Sequence, residues 1–501
     1  PLPRPDSSSV LQSFRGDARV SADLHPLETS LLIIAGALLC FMPWALGTMH
    51  VWSQFISLGL AAAAFTVAII NRRYTGDLAP RGDFRLVMWP KLIRFPLFWL
   101  GLLLLAYILV QALNPAWVYM SDGKYRWIEP VAHLSWLPSG METPFADMNA
   151  WRVLVIYSTA WLFACALWVG VTRRATVQWL FTVVAANGAL LALIGILQKV
   201  TGAKYILWSL EKANTGSYFF ATIIYKNHAG AYFNLVLMLC VALLYWHFSR
   251  AERRMERASP APVFAFASVV LGLGVLLTNS RGAILLLMLF TLIAFIGFIV
   301  RCTLYRGEGR SPWTIVVLCA IFALFIGLGS YFLNTGKAFD RISKLISDGR
   351  EDSSVMTRTF AREATLDMAR DNLVTGWGAG SFRHYFPVYQ RHYPEIYDVP
   401  WNKDAKLRWE YTHNDYVQLL AELGLIGAAI IAAMLGCGVR HLVRHRVWQR
   451  PHLMFVLLAL VITAMHAWVD FQFHNPAILI LWCASAALVG RWAELEARMA
   501  R

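Results

Sequence analysis

The hexapeptide Tyr411-Thr412-His413-Asn414-Asp415-Tyr416 stands directly before an apolar run from Val417 to Leu435. An imidazole flanked by an amide and a carboxylate at the mouth of a membrane helix is costly to keep for packing alone, because lipid offers polar groups no partners. Imidazoles titrate near neutrality and can take a proton from a hydroxyl without further activation. His413 is therefore read as a general base, with Asn414 and Asp415 in support. Such a base is useful where an acceptor attacks a carbon whose leaving group is held by positive charge, and three cations could hold it. Arg281 lies in Asn279-Ser280-Arg281-Gly282, a turn joining two apolar runs so tightly that its guanidinium must stay at or just below the membrane surface. Lys226, in Tyr225-Lys226-Asn227-His228, precedes another apolar run. Arg358 falls in a long polar segment, with Arg362 four residues on and on the same face of an expected helix. The last polar turn adds Asp470, Gln472, His474 and Asn475. Of the remaining residues, Arg362, His228 and His474 are read as supporting.

A membrane fold has to position these groups. The 501 residues are 58% hydrophobic and 15% charged, with a mean hydropathy of +0.50, a composition that belongs to a polytopic membrane protein. Spanning a bilayer takes about 20 apolar residues. Twelve runs meet that criterion, near 30–47, 51–70, 96–113, 151–170, 177–198, 230–248, 262–278, 283–300, 313–333, 416–436, 453–470 and 475–490. The expected fold is all-α: a disordered cytoplasmic tail over 1–29, nine helices within 30–333, a cap loop over 334–415 before the tenth helix, three helices within 416–490, and a tail over 491–501.

Charge sets the expected orientation. With both termini inside, the seven inner segments hold 25 of the 45 Lys and Arg residues against 11 acidic ones. The net charge of +15 is then the positive-inside signal of a bilayer protein, and calls for no nucleic acid. The 334–415 segment holds 12 basic and 12 acidic residues, and its length points to function. Ser353 to Asn372 reads as helix, and Gly376-Trp377-Gly378-Ala379-Gly380 as a turn. Aromatics from Phe382 to Trp409, among them Tyr385, Phe386, Tyr389 and Tyr393, suit an interfacial lid or stacking against sugar rings. The seven cysteines show no CxxC spacing, so neither a disulfide nor a metal site is expected.

Cations beside an imidazole, with no acidic cluster for a divalent ion, suit a membrane-anchored diphosphate. His413-Asn414, nine residues, then Gly424-Leu425-Ile426-Gly427 resembles the H-[NSQ]-x9-G-x-x-G signature of the O-antigen ligase and polymerase superfamily. The Ser280-Arg281-Gly282 turn is similar to that family's S-R-G turn, and Arg358 through Gly376, Gly378 and Gly380 to its R…G-x-G-x-G segment. The similarity spans about residues 150–490, with Lys226 where many members carry Arg and Arg362 where many carry Trp. It implies inverting, metal- and cofactor-independent transfer of a glycan from a polyprenyl-diphosphate donor, on the periplasmic side of a bacterial inner membrane. The acceptor would be a lipid A core sugar or another repeat unit. Protein O-glycosylation within the same superfamily is an alternative, and a lipid-linked glycan flippase is the rival from another class. Transporters place charges near the bilayer midplane. Here Glu422 and Asp470 are the only carboxylates within the apolar spans, and most other polar residues gather at one face.

Overall fold

A computed structural model describes residues 24–78, 82–210, 219–255, 258–304, parts of 319–331, 353–399 and 402–499. Helices dominate it. In chain order they are α1 (Pro26–Trp44), α2 (Val51–Ile69), the short α3 (Trp89–Ile93), α4 (Pro96–Leu113), α5 (Ala150–Gly170), α6 (Arg174–Val200), α7 (Lys226–Arg254), α8 (Ala261–Leu277) and α9 (Arg281–Leu304). They continue with α10 (Ser353–Asp371), α11 (Phe382–Gln390), α12 (Pro394–Tyr397), α13 (Asp415–Arg444), α14 (Pro451–Ala467) and α15 (Pro476–Met499).

Eight of these are long and apolar enough to cross a membrane, namely α1, α2, α4, α5, α6, α7, α13 and α15. Three shorter apolar helices, Ala261–Leu277, Arg281–Gly297 and Pro451–Ala467, fall on three more of the twelve expected spans. The expected ninth span, 313–333, lies largely outside the described residues. The chain is a multi-pass membrane protein.

The core runs through α1, α2, α5, α6, α7, α8, α9, α14 and α15. Its centre is α7, which packs against α6, α8, α9 and α14. An apolar helix has no polar face to lose by such burial, and close helix contact then depends on small residues. Gly188 of α6 leaves room for Val236 of α7, whose Cγ1 lies 2.6 Å from where a Cβ would stand.

At one end of the bundle three cations cap the end of α5: Lys91 donates to Val169 O at 2.6 Å, Arg72 to Gly170 O at 2.6 Å and Arg491 to Val171 O at 2.8 Å. Helix C-termini leave carbonyls unpaired and favour positive charge, which accounts for the placement. Arg72 is buried with Glu28, 2.7 Å away.

The other end carries the polar loops. Strands Pro115–Ser121, Arg126–Pro130 and Gly140–Glu142 form a small sheet that the helical expectation did not include. Met141 of this sheet packs with Ala361, Met368, Phe382, Tyr385 and Phe386 in a second core, which Ala421 of α13 joins. The expected helix from Ser353 to Asn372 is α10. The aromatics from Phe382 to Tyr393 correct the lid expectation: Tyr385 and Phe386 are buried in that core, while the Tyr389 and Tyr393 hydroxyls donate to Asp371 and Asp367. A segment with few aliphatic residues has to build its interior from rings.

Candidate active site

The apolar run after His413 is interrupted. Within α13, Gly424 has φ +62° and ψ −169°, a backbone that only glycine adopts readily. The groups freed by this break pair with the segment before α11. Leu425 N donates to Leu373 O, Ile426 N to Val374 O, Trp377 N to Ala421 O and Gly378 N to Glu422 O. Gly376, Gly378 and Gly380 all have positive φ, as the turn expectation required.

Asn414 caps the start of α13. Its Oδ1 accepts from Tyr416 N and Val417 N, both at 3.1 Å, and its Nδ2 donates to Trp468 O at 2.9 Å. His413, just before the cap, has φ +57°, so the chain reverses and aims its ring across at the turn after α14. There Nδ1 lies 2.8 Å from Asp470 Oδ1. Asp470 is 1% exposed and His413 21%, so a ligand can reach the ring but not the carboxylate. Asp470 also receives Asn227 Nδ2 on its other oxygen. Burial works against its charge, but the hydrogen bond and charge of His413, with Arg358 and His466 behind, hold the carboxyl well below the usual carboxylate range. An ionised Asp470 favours the imidazole tautomer that carries its proton on Nδ1. Nε2 has no hydrogen-bond partner among the described residues.

A reciprocal pair sits beside the first. His474 Nδ1 meets Asp415 Oδ1 at 2.6 Å, and Phe473 N donates to Asp415 Oδ2 at 2.8 Å. Burial disfavours the charged form of His474, but the hydrogen bond and charge of Asp415 outweigh it and raise its pKa above the ordinary histidine value. Its Nε2 meets Gln418 Nε2 at 2.9 Å. Gln418 also donates to Glu422 Oε1, and Glu422 accepts from Gly380 N at 2.8 Å and Phe382 N at 3.3 Å. With both nitrogens engaged, His474 joins α13 to the turn and to α11.

Phe471 fills the space between these pairs. Its ring stacks on Tyr411 at 4.2 Å and on Tyr225 at 5.1 Å, while His413 and His228 meet it edge-on. Trp409 meets the His413 ring edge-on at 5.4 Å.

The expected cations converge on the same end. Arg358 donates to Val469 O at 2.9 Å, one residue from Asp470. Arg281 is exposed at the start of α9. Its turn packs on α7, where a Cβ at Gly230 would stand 2.4 Å from Ala283 Cβ, and on α14, where one at Gly282 would stand 3.0 Å from His466 Nε2. Lys226, the first residue of α7, feels the charges of Arg281, Lys199, Arg358 and Asp470. His228 is buried with Nε2 3.0 Å from Phe471 O, and supports the turn. Arg362 stands one turn beyond Arg358, half-buried, with no hydrogen bond or ion pair among the described residues.

Sequence reasoning did not assign Asp470 to His413, nor see Asn227, Phe471, Trp409, Gln418 and Glu422 in the site. One signal was present: Asp470 and Glu422 are the carboxylates that interrupt apolar spans.

Compared with known proteins, residues 266–432 match the O-antigen ligase family. The match contains Arg281, Arg358 and His413, and ends before Asp470. No curated protein matches the chain.

Proposed function

We infer that a chain carrying an O-antigen ligase segment in a multi-pass membrane bundle is a glycosyltransferase that moves a glycan from a polyprenyl-diphosphate donor to an acceptor hydroxyl on the periplasmic side of a bacterial inner membrane. The observation that carries this reading is the His413–Asp470 pair, with Nε2 uncommitted and Lys226, Arg281 and Arg358 at the same end of the bundle.

In the proposed reaction the acceptor oxygen attacks C1 of the donor's first sugar, and its proton passes to His413 Nε2. The bond from C1 to the diphosphate oxygen breaks, and its electron pair leaves with the diphosphate. The added negative charge on the leaving group is what Lys226, Arg281 and Arg358 would stabilise. One displacement inverts C1. Asp470 stays ionised, orients the ring and stabilises the imidazolium that forms. Asn414 and Asp415 fix the start of α13, and His474, His228 and Arg362 support the surrounding turn.

The test is reconstitution in liposomes with a polyprenyl-diphosphate oligosaccharide and, separately, a lipid A core acceptor, a second repeat unit and a hydroxyl-bearing protein. Transfer to one class, lost in His413→Ala, is expected and names the acceptor. Movement of intact donor across the bilayer without transfer would replace this reading with the flippase.

A further inference from the structure

The end of α6 builds a second polar recess that the reaction above does not use. Gln198 is 3% exposed, and among the described residues neither its amide nitrogen nor its amide oxygen has a hydrogen-bond partner. A buried carboxamide left unpaired on both sides is costly unless something occupies the space before it. Gln198 lines a small cavity with Lys199, Ala203, Phe219 and Phe220. Gly195 lets the wall close, because a Cβ there would stand 2.2 Å from Phe220 Cε1.

Lys199 lies close enough to Lys226 for the two charges to act on each other, which sets the recess beside the cation at the start of α7. A water molecule could satisfy the amide and the ammonium group, but has no use for an aromatic wall. An anion esterified to hydrocarbon uses all three: Lys199 and the Gln198 N–H groups suit phosphate oxygens, a water or the Lys199 ammonium can donate to the Gln198 oxygen, and the Phe219 and Phe220 rings suit the first carbons of the ester. An acceptor hydroxyl under His413 must approach the sugar carbon opposite the leaving phosphate, so the carrier end of the diphosphate extends away from His413.

We propose that Gln198 and Lys199, with Phe219 and Phe220, bind the carrier-side phosphate of the lipid diphosphate and the first apolar unit attached to it. The assignment rests on the glycan-transfer reading and adds a specificity site for the carrier.

The experiment measures binding of farnesyl diphosphate and of inorganic diphosphate to the full-length protein in detergent. The variants are Gln198→Leu, Gln198→Glu, Lys199→Ala, Phe219→Ala and Arg281→Ala, each first matched to wild type in thermal unfolding. Gln198→Leu and Lys199→Ala should weaken farnesyl diphosphate about tenfold, the effect of one lost charge-assisted bond. Gln198→Glu, close in shape but anionic, should weaken it further. Phe219→Ala should weaken farnesyl diphosphate and leave inorganic diphosphate unchanged. Arg281→Ala should weaken both probes. If Arg281→Ala does so while the Gln198, Lys199 and Phe219 variants bind like wild type, the recess holds water alone and the proposal is overturned with the transfer reading intact. If wild-type protein binds neither probe, both are overturned.

Discussion

Gly376 and Gly424 face each other so closely that neither position has room for a side chain. A Cβ on Gly424 would stand 2.6 Å from Gly376 N, and one on Gly376 would stand 2.5 Å from Gly424 N. Glycines from two distant motifs are thus the halves of one joint, through which the break in α13 recovers its backbone hydrogen bonds from the segment leading into α11. The joint fixes the angle at which α11, with its contacts to Glu422, meets α13, the helix that follows His413.

Gly424→Ala should destabilise the protein by roughly 1–3 kcal/mol, the usual cost of a strained backbone, with a clash against Val374 O, 2.4 Å from the added carbon. Gly436, in the same helix with nothing within 4 Å, is the control, and its change to Ala should be neutral or slightly stabilising. Thermal unfolding in detergent compares them. Equal melting temperatures would mean that the joint carries no strain.

Asp470→Asn should lower kcat by about 10²- to 10⁴-fold with little change in the KM for donor, because an amide no longer fixes the proton on Nδ1 or stabilises an imidazolium. Steady-state kinetics with lipid-linked donor separate the two constants. An unchanged kcat would remove Asp470 from the reaction.

Arg281→Lys keeps the charge but loses the paired hydrogen bonds of a guanidinium. Transfer should fall about tenfold or more, the cost of one charge-assisted bond. Wild-type turnover would mean that generic positive charge is enough at this turn.

The His474–Asp415 pair makes a pH prediction of definite sign. The folded pKa of His474 is raised, with burial opposing and the Asp415 hydrogen bond and charge prevailing. Its contribution to stability is therefore complete below the ordinary histidine value near 6.5 and disappears as pH rises through the folded value. Melting temperature should decline from mildly acidic to mildly alkaline pH in wild type, and decline less in His474→Gln. Identical pH profiles would show that the pair does not couple protonation to folding. Asp470 acts with the opposite sign: its carboxyl is held low, so its contribution is lost only as pH falls far into acid.

The elements around this site were legible in the sequence because their signals are local. Asn414 precedes an apolar run, as a helix cap does, and the turn around Arg281 is too short to leave the membrane surface. The helix from Ser353 has few helix breakers and is followed by the Gly376 turn. What stayed hidden depends on contacts between distant segments. Asp470 is 57 residues from His413, and no periodicity links a loop carboxylate to one imidazole. Val417 to Leu435 reads as one continuous helix, since an apolar run does not reveal a break whose hydrogen bonds are restored by another segment. The ring-rich α11 reads as a surface lid because composition alone cannot tell a ring facing membrane or sugar from one packed on Met368.

The most direct measurement is single-turnover transfer by reconstituted His413→Ala protein with saturating lipid-diphosphate donor, together with donor binding by the same preparation. If His413 Nε2 takes the acceptor's proton, binding stays within about twofold of wild type and transfer falls by roughly 10²- to 10⁴-fold. Transfer at the wild-type rate would contradict a base at this position.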